Sequence, residues 1–424
     1  MSLAIPSQIQ YAPSLPVLPP ETVNTAVVIS PSNGSSFTPT GNSQMIFDLN
    51  SANFIDPATL VFSCKIAVTN ATTAQTMRGG GYSIISRLET LFGSQTVESI
   101  SNYNVLYNDW VNVQYNFAQK ASLANSHGIL DNSTLPTFGN TNNRSIPIAG
   151  DTFSISIPLM CIISQCEKLF PAFSAPAVRI QLTLDTIANI FSGSTITQYT
   201  VTNPQISYDM ISFGKGVENL VRAMGDKIYV KSQSFTMTGS SLSTASSGNI
   251  SLIYNQRLSS IKGLLAHFAG TDSALAVNKS FDSTDITNAN GLLQFMVSGI
   301  PYPARACDTL NLKSAAMSEL RQFVAGYHDI QGSNMSILPV EWNYLGSSTT
   351  TATNPAKFFF ACNTEKIQGE SKSLLSGIST QNSPISLNLQ LNTATSSGFT
   401  VYLMCMYDVL IEIDTVMKQA TVKQ

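Results

Sequence analysis

Charge is what this 424-residue sequence has least of: Asp, Glu, Lys and Arg make up 11% of it, and apolar residues 43%. Ordinary soluble domains carry roughly 25% charged residues. Ser, Thr, Asn and Gln must therefore cover much of the surface. Exposed monomers keep apart by charge, so a neutral polar surface points to one covered by neighbours, and oligomerisation is the first functional expectation. The formal net charge is −3 and no Lys or Arg precedes Lys65. Without a basic patch or tail to neutralise phosphate, direct sequence-specific nucleic-acid binding is not expected. Long apolar runs are missing too, and with them any helix long enough to span a membrane. The opening "MSLAIPSQIQYAPSLP" has neither the positive start nor the apolar core of a signal peptide, so export by that route is not expected.

Residues that carry chemistry are equally sparse. The three histidines, His127, His267 and His328, lie far apart, with no HExxH, no HxH and no acidic cluster beside them. His328-Asp329 lacks the G-x-S-x-G turn that would hold a nucleophile. Glu98, Asp151, Glu167, Asp185 and Asp414 are the carboxylates from which a glycosidase pair would have to be drawn. Trp110 and Trp342 read as packing anchors. The six cysteines, Cys64, Cys161, Cys166, Cys307, Cys362 and Cys405, are scattered through apolar contexts and behave as small hydrophobes; none has zinc spacing. "RGGGYSIISRLETLFGSQTVESI", Arg78 to Ile100, invites a phosphate-loop reading but lacks the Lys-Ser/Thr after its glycines, and Gly214-Lys215-Gly216 fails the same test. The three glycines read as a turn between strands, where glycine permits a backbone path other residues resist. No cofactor, metal or catalytic residue is expected.

What is abundant is strand pattern. "AVRIQLTLD" alternates Val178, Ile180, Leu182 and Leu184 with Arg179, Gln181, Thr183 and Asp185, and "PISLNLQLN" repeats the pattern from Ile385 to Leu391. Further candidates are "QMIFDLN", "TLVFSCKIAV", "TFSISIPL", "QISYDMISF", "KIYVKSQSFTM", "NISLIYN", "IKGLLAHFA", "AKFFFACN" and "FTVYLMCMYDVLIEID", parted by Ser/Thr/Asn/Gly-rich loops. This is a sandwich or barrel pattern. The order "SISIPLM", "AVRIQLTLD", "PQISYDMISF" is matched by "AKFFFACN", "PISLNLQLN", "FTVYLMCMYDVLIEI" in the second half, as in two copies of one unit. Two stretches break the β pattern with helical spacing: residues 103–126, with Val105, Leu106, Trp110, Val113 and Phe117, and residues 314–327, with Met317, Leu320, Phe323 and Val324.

The chain resembles the double jelly-roll major capsid proteins of icosahedral DNA viruses, in size and style those of polinton-like viruses and virophages. The residues that carry the resemblance are "SFTPTGNSQMIFDLN", "FSISIPLMCII", "AVRIQLTL", "VSGIPYPARACDTLNLKSAAMSELRQFVAGYHD" and "FFFACNTEKIQGESKSLLSGIST…PISLNLQLN…FTVYLMCMYDVLIEID", over about residues 35 to 415. They are patterns, not strict motifs. The resemblance implies an all-β fold of two eight-stranded antiparallel jelly rolls side by side with short helical insertions. It also implies a homotrimeric, pseudo-hexagonal capsomer of an icosahedral shell, located in the virion and assembled inside the host cell. The expected division is a proline-rich arm 1–34, a first jelly roll 35–214, a linker helix 215–224, a second jelly roll 225–415 and a tail 416–424. The arm is expected to join neighbouring capsomers or minor proteins, with Val17, Leu18, Val27, Val28 and Ile29 as apolar anchors. Trp110, Phe117 and Phe323 are the expected interface or packing residues. The implied partners are the chain itself, penton and minor capsid proteins, and an internal membrane surface. An alternative is a carbohydrate-binding or carbohydrate-cleaving β-sandwich of a virion appendage, although two Trp supply little of the exposed aromatic surface that sugar sites show. A single jelly-roll capsid of the small RNA virus type would call for a basic arm, which is missing.

Overall fold

The computed structural model describes residues 21–70, 72–129, 144–191, 195–223, 225–270, 281, 283, 286, 291–309, 311–325, 335, 337, 342, 357–366, 375–395 and 398–424. Val17, Leu18 and His328 lie outside them.

The first half builds β1 (Val23–Ile29), β2 (Gln44–Asp48), β3 (Val61–Asn70), β4 (Ile85–Phe92), β5 (Gln95–Ser101), β6 (Asp151–Pro158), β7 (Val178–Leu184) and β8 (Ile196–Ser212). The second builds β9 (Lys227–Leu242), β10 (Gly248–Tyr254), β11 (Ile261–Gly270), β12 (Gly291–Val297), β13 (Ile300–Asp308), β14 (Phe359–Asn363), β15 (Ile385–Leu391) and β16 (Phe399–Asp414), and closes with β17 (Gln419–Lys423). The sheets run β1-β8-β3-β6 and β2-β7-β4-β5 in the first half, β9-β16-β11-β14 and β10-β15-β12-β13 in the second, all antiparallel. Adding eight to each label of the first half yields the second: these are two jelly rolls of one topology. The three pairs matched in the sequence are β6/β14, β7/β15 and β8/β16.

Alternation positions the cores. Val178, Ile180, Leu182 and Leu184 on β7, and Ile385, Leu387, Leu389 and Leu391 on β15, are all buried, while the residues between them face outward. The β4–β5 hairpin turns at Gly93 (φ 62°), and the equivalent β12–β13 hairpin turns at Ser298 and Gly299, both at positive φ.

The helical insertions occupy equivalent places. Between β5 and β6 lie α1 (Tyr103–Gln114) and α2 (Phe117–His127). A one-turn α3 (Ile187–Ile190) follows β7, α4 (Lys215–Ala223) links the barrels, and α5 (Lys313–Ala325) stands between β13 and β14. Helix α2 starts on a capping box in which Asn116 Oδ1 accepts from Gln119 N at 2.8 Å and Gln119 Oε1 accepts from Asn116 N at 2.9 Å.

Three expectations need correcting. Val23–Ile29, counted with the arm, is a sheet strand: Val23 to Ile29 pair with Ser212 to Ile206 of β8, because a β-branched run beside an unfilled sheet edge gains a full ladder. The residues 416–424, counted as a tail, turn back so that Gln419–Lys423 pairs with Leu410–Asp414. Third, the glycines after Arg78 are buried, and Gly81 begins a 3-10 turn, Gly81–Ile84. Their φ is not positive; what they need is space, since a Cβ on Gly80 would stand 2.5 Å from the His127 carbonyl oxygen and one on Gly81 2.2 Å from Ile155 Cγ2. It is a packed turn.

Candidate functional site: the seam between the two barrels

Most of the residues singled out for chemistry serve the fold. Asp185 accepts from Asn104 Nδ2 at 2.7 Å, Thr186 N at 2.7 Å and Asn189 Nδ2 at 2.9 Å, fixing the start of α3 to α1. Asp151 pairs with Arg144 at 2.8 Å. Asp414 accepts from Val416 N and Met417 N in the β16–β17 turn. His127 is buried, its Nε2 3.2 Å from the Tyr107 hydroxyl, and burial lowers its pKa. All six thiols are buried and free; burial pushes Cys161 and Cys405 up to about 12, which keeps them protonated and inert. Trp342 is buried and donates to the Phe359 carbonyl at 2.8 Å. Arg78 donates to the Ala188 carbonyl at 3.3 Å. Among the described residues no three His, Cys, Asp or Glu side chains gather as a metal ion requires.

The concentration of buried polar groups is instead at the seam, where α1, β5 and the segment after β6 meet β9 and β11. Glu98 on β5, 3% exposed, accepts from Ser234 Oγ of β9, from Ile162 N at 2.8 Å and from Thr90 Oγ1 at 2.9 Å. Asp109 on α1 and His267 on β11, both buried, join at 2.8 Å. Trp110 sets its ring edge-on to Phe235 at 5.3 Å. Lys231 on β9 spans Glu167 at 3.4 Å and Asp408 at 3.6 Å, and Gln424 at the end of the chain donates to the Val97 carbonyl at 2.8 Å. Five of these contacts cross between the barrels, Glu98 with Ser234, Asp109 with His267, Trp110 with Phe235, Lys231 with Glu167 and Gln424 with Val97, and together they hold the barrels in one relative position.

Glu98 sets a pH dependence. The titratable groups around it, Tyr103, Cys161, Cys166 and Tyr407, offer no cation, and burial pushes its carboxyl up to about 7 despite the donors from Ser234, Ile162 and Thr90. In the unfolded chain the same carboxyl ionises near 4.5. Between these values the folded state holds the proton and the unfolded state does not, so this group's contribution to stability falls as pH rises from about 4.5 to 7 and is flat above. Glu98→Gln keeps the shape without the charge. Its urea midpoint, compared with that of the parent chain, is expected to gain steadily from pH 5 to pH 7 and to level off above. One proton sets an upper limit of roughly 1.4 kcal/mol per pH unit on that gain. Parallel midpoints across that range would show that Glu98 does not titrate there.

Of the packing residues named from sequence, Trp110 lies in the seam and Phe323 does not. Phe323, 4% exposed on α5, covers Gly263 of β11, where an added Cβ would stand 2.5 Å from its ring. Phe117 opens α2. Phe323→Ala is expected to cost about 3–5 kcal/mol as a cavity in the second barrel. Trp110→Ala, half-buried, should cost about 2 kcal/mol and weaken barrel-to-barrel contact. Denaturant melts monitored separately in each barrel distinguish the two.

Sequence reasoning missed the seam because Glu98 and Asp109 meet Ser234 and His267 from a stretch more than 120 residues away. A further asymmetry shows only in three dimensions. On the outward side of β9 in the second barrel, Phe235 is buried against Trp110 of α1, and Lys231, paired with Glu167 of the first barrel, and Gln233 are half-buried. On the outward side of the equivalent strand of the first barrel, β1, Val28 is 59% exposed, and Asn24 and Ala26 are exposed.

No protein-family model matches the chain, and no curated protein matches it in sequence. Solved structures do match in fold. The capsid of the virus PBCV-1 aligns with a TM-score of 0.63 at 12% identity, covering 97% of this chain and 99% of that one. The Faustovirus major capsid protein aligns at 0.62 and 10% identity, covering 96% and 92%. The mavirus major capsid protein aligns at 0.55 and 9% identity, covering 100% and 95%. The likeness extends over both barrels and their order, and at these identities it is a likeness of fold: the double jelly roll.

Proposed function

We propose that the chain is a major capsid protein, a structural shell subunit without catalysis, that assembles as a homotrimer into pseudo-hexagonal capsomers of an icosahedral DNA-virus capsid. The observation that carries the reading is the unequal cover of two equivalent surfaces. Within one chain the first barrel reaches the outward side of β9 at Phe235 and Lys231, while on the matching side of β1 Asn24, Ala26 and Val28 are exposed. A second copy that sets its second barrel on β1 repeats the seam head to tail. Such a heterologous contact closes into a ring when its rotation permits, and three two-barrel chains supply six barrels for a hexagonal outline. The charge-poor composition supports this, since few ions must be desolvated when identical copies meet. Full-length likeness to solved capsid proteins supports it independently.

In this reading the first barrel runs from β1 to residue 214, residues 215–224 link, and the second barrel runs from 225 through β17. Trp110 and the α1 segment hold the two barrels of a capsomer side together. Penton and minor capsid proteins, and an internal membrane surface, are the further partners it implies, with the virion as location. Expression of the chain alone followed by negative-stain microscopy is the test. Hexagonal particles or shells are expected; a monomer that is retained on a glycan array would overturn the capsid reading in favour of a sugar-binding sandwich.

A further inference from the structure

Among the described residues, helix α4 is the one helix of more than two turns with no buried residue. Its sequence, KGVENLVRA, puts Val217, Leu220 and Val221 at i, i+3 and i+4 on one side, and Leu220 is 60% exposed. Arg222 reaches the Phe173 ring at 5.3 Å, which ties the helix to the first barrel through its polar side. A nine-residue helix is marginal in water. The stripe is left incompletely covered, with Val217 and Val221 half-buried and Leu220 exposed.

The chain itself brings a cover to the place. Glu21 lies against Gly214, the residue before α4: a Cβ there would sit 2.2 Å from Glu21 Oε2, and Gly214 has φ +82°. The described chain therefore begins, at Glu21, beside the N-terminal end of α4. Residues 1–20 hold no charged side chain, five prolines, and Leu3, Ile5, Ile9, Leu15, Val17 and Leu18. Val17 and Leu18 precede Glu21 by four and three residues, a reach of about 10–13 Å in extended chain. Val217 to Val221 lie about 4–10 Å along the helix axis from Gly214. The spans match, and proline lowers the entropy lost when such a segment orders.

The geometry points to α4 as the docking helix for residues 1–20 of the same chain, with Val17 and Leu18 seated on Val217, Leu220 and Val221. The arm then pins the linker between the barrels. This holds whether or not the chain builds capsids. A truncation that tests it must stop at residue 20, because one that ends at residue 30 also removes β1.

Hydrogen exchange over residues 215–223 reads the contact. Full-length chain is expected to exchange there at least about tenfold more slowly than chain lacking residues 2–20, since closing a site by about 1.4 kcal/mol slows exchange tenfold. Leu220→Asp in the full chain should lose the same protection, and a synthetic peptide of residues 1–20 added to the truncated chain should restore it. Equal exchange in the full and truncated chains would overturn the proposal. A Val17→Cys, Leu220→Cys variant, oxidised at low protein concentration, should close an intrachain disulfide. Bonds between chains only would assign the cover to a second copy and refute docking within one chain.

Discussion

Ala26→Arg with Val28→Arg will leave the chain folded and abolish its trimer. Both residues are exposed on the outward side of β1, so arginine stays in water in the single chain and its thermal midpoint should move little. In the proposed ring, β1 would be covered by a neighbour's second barrel, and two guanidinium groups would be buried there. An unpaired buried charge costs several kcal/mol, which corresponds to association weakened about 1,000-fold or more. Sedimentation velocity at micromolar concentration should show the variant as single chains and the parent chain as a trimer. A trimer of unchanged stability in the variant would place the contact elsewhere.

Asp109→Ala is expected to cost the fold on the order of 3 kcal/mol, the largest loss of any single polar change in the seam. It strips a fully buried acceptor from His267 Nδ1 across the barrel boundary. Phe235→Ala would leave a cavity against Trp110, but Asp109→Ala leaves a donor unmet in a dry site, which no neighbouring apolar group can relieve. Asp109→Asn retains an acceptor and should recover at least half of the loss. Because the pair bridges α1 and β11, the variant should also expose the seam to hydrogen exchange before either barrel core opens. Uniform loss of protection throughout both barrels would mean that the pair acts only on global stability.

The strands were legible because alternation is a local signal. Val178 to Leu184 and Ile385 to Leu391 declare their buried face within seven residues each, and the matching order around them revealed the repeat. Helices α1 and α5 were equally plain, since Val105, Leu106 and Val113, or Met317, Leu320 and Phe323, mark a stripe within a few turns. The first strand was hidden by its setting: Val23–Ile29 follows a proline-rich stretch, and only β8 waiting with a free edge at Ile206–Ser212 makes it a strand. The seam was not legible at all. Glu98 reads as an ordinary solvated carboxylate until Ser234, 136 residues away, is seen donating to it, and nothing near Asp109 announces His267.

Cryo-electron microscopy of the purified full-length chain tests the central claim most directly. The account predicts a threefold particle of three chains in which six barrels stand in a near-hexagonal ring and each β1 is covered by the second barrel of the next chain. A particle in which β1 faces solvent, or a protein that stays a single chain at every concentration, would contradict it.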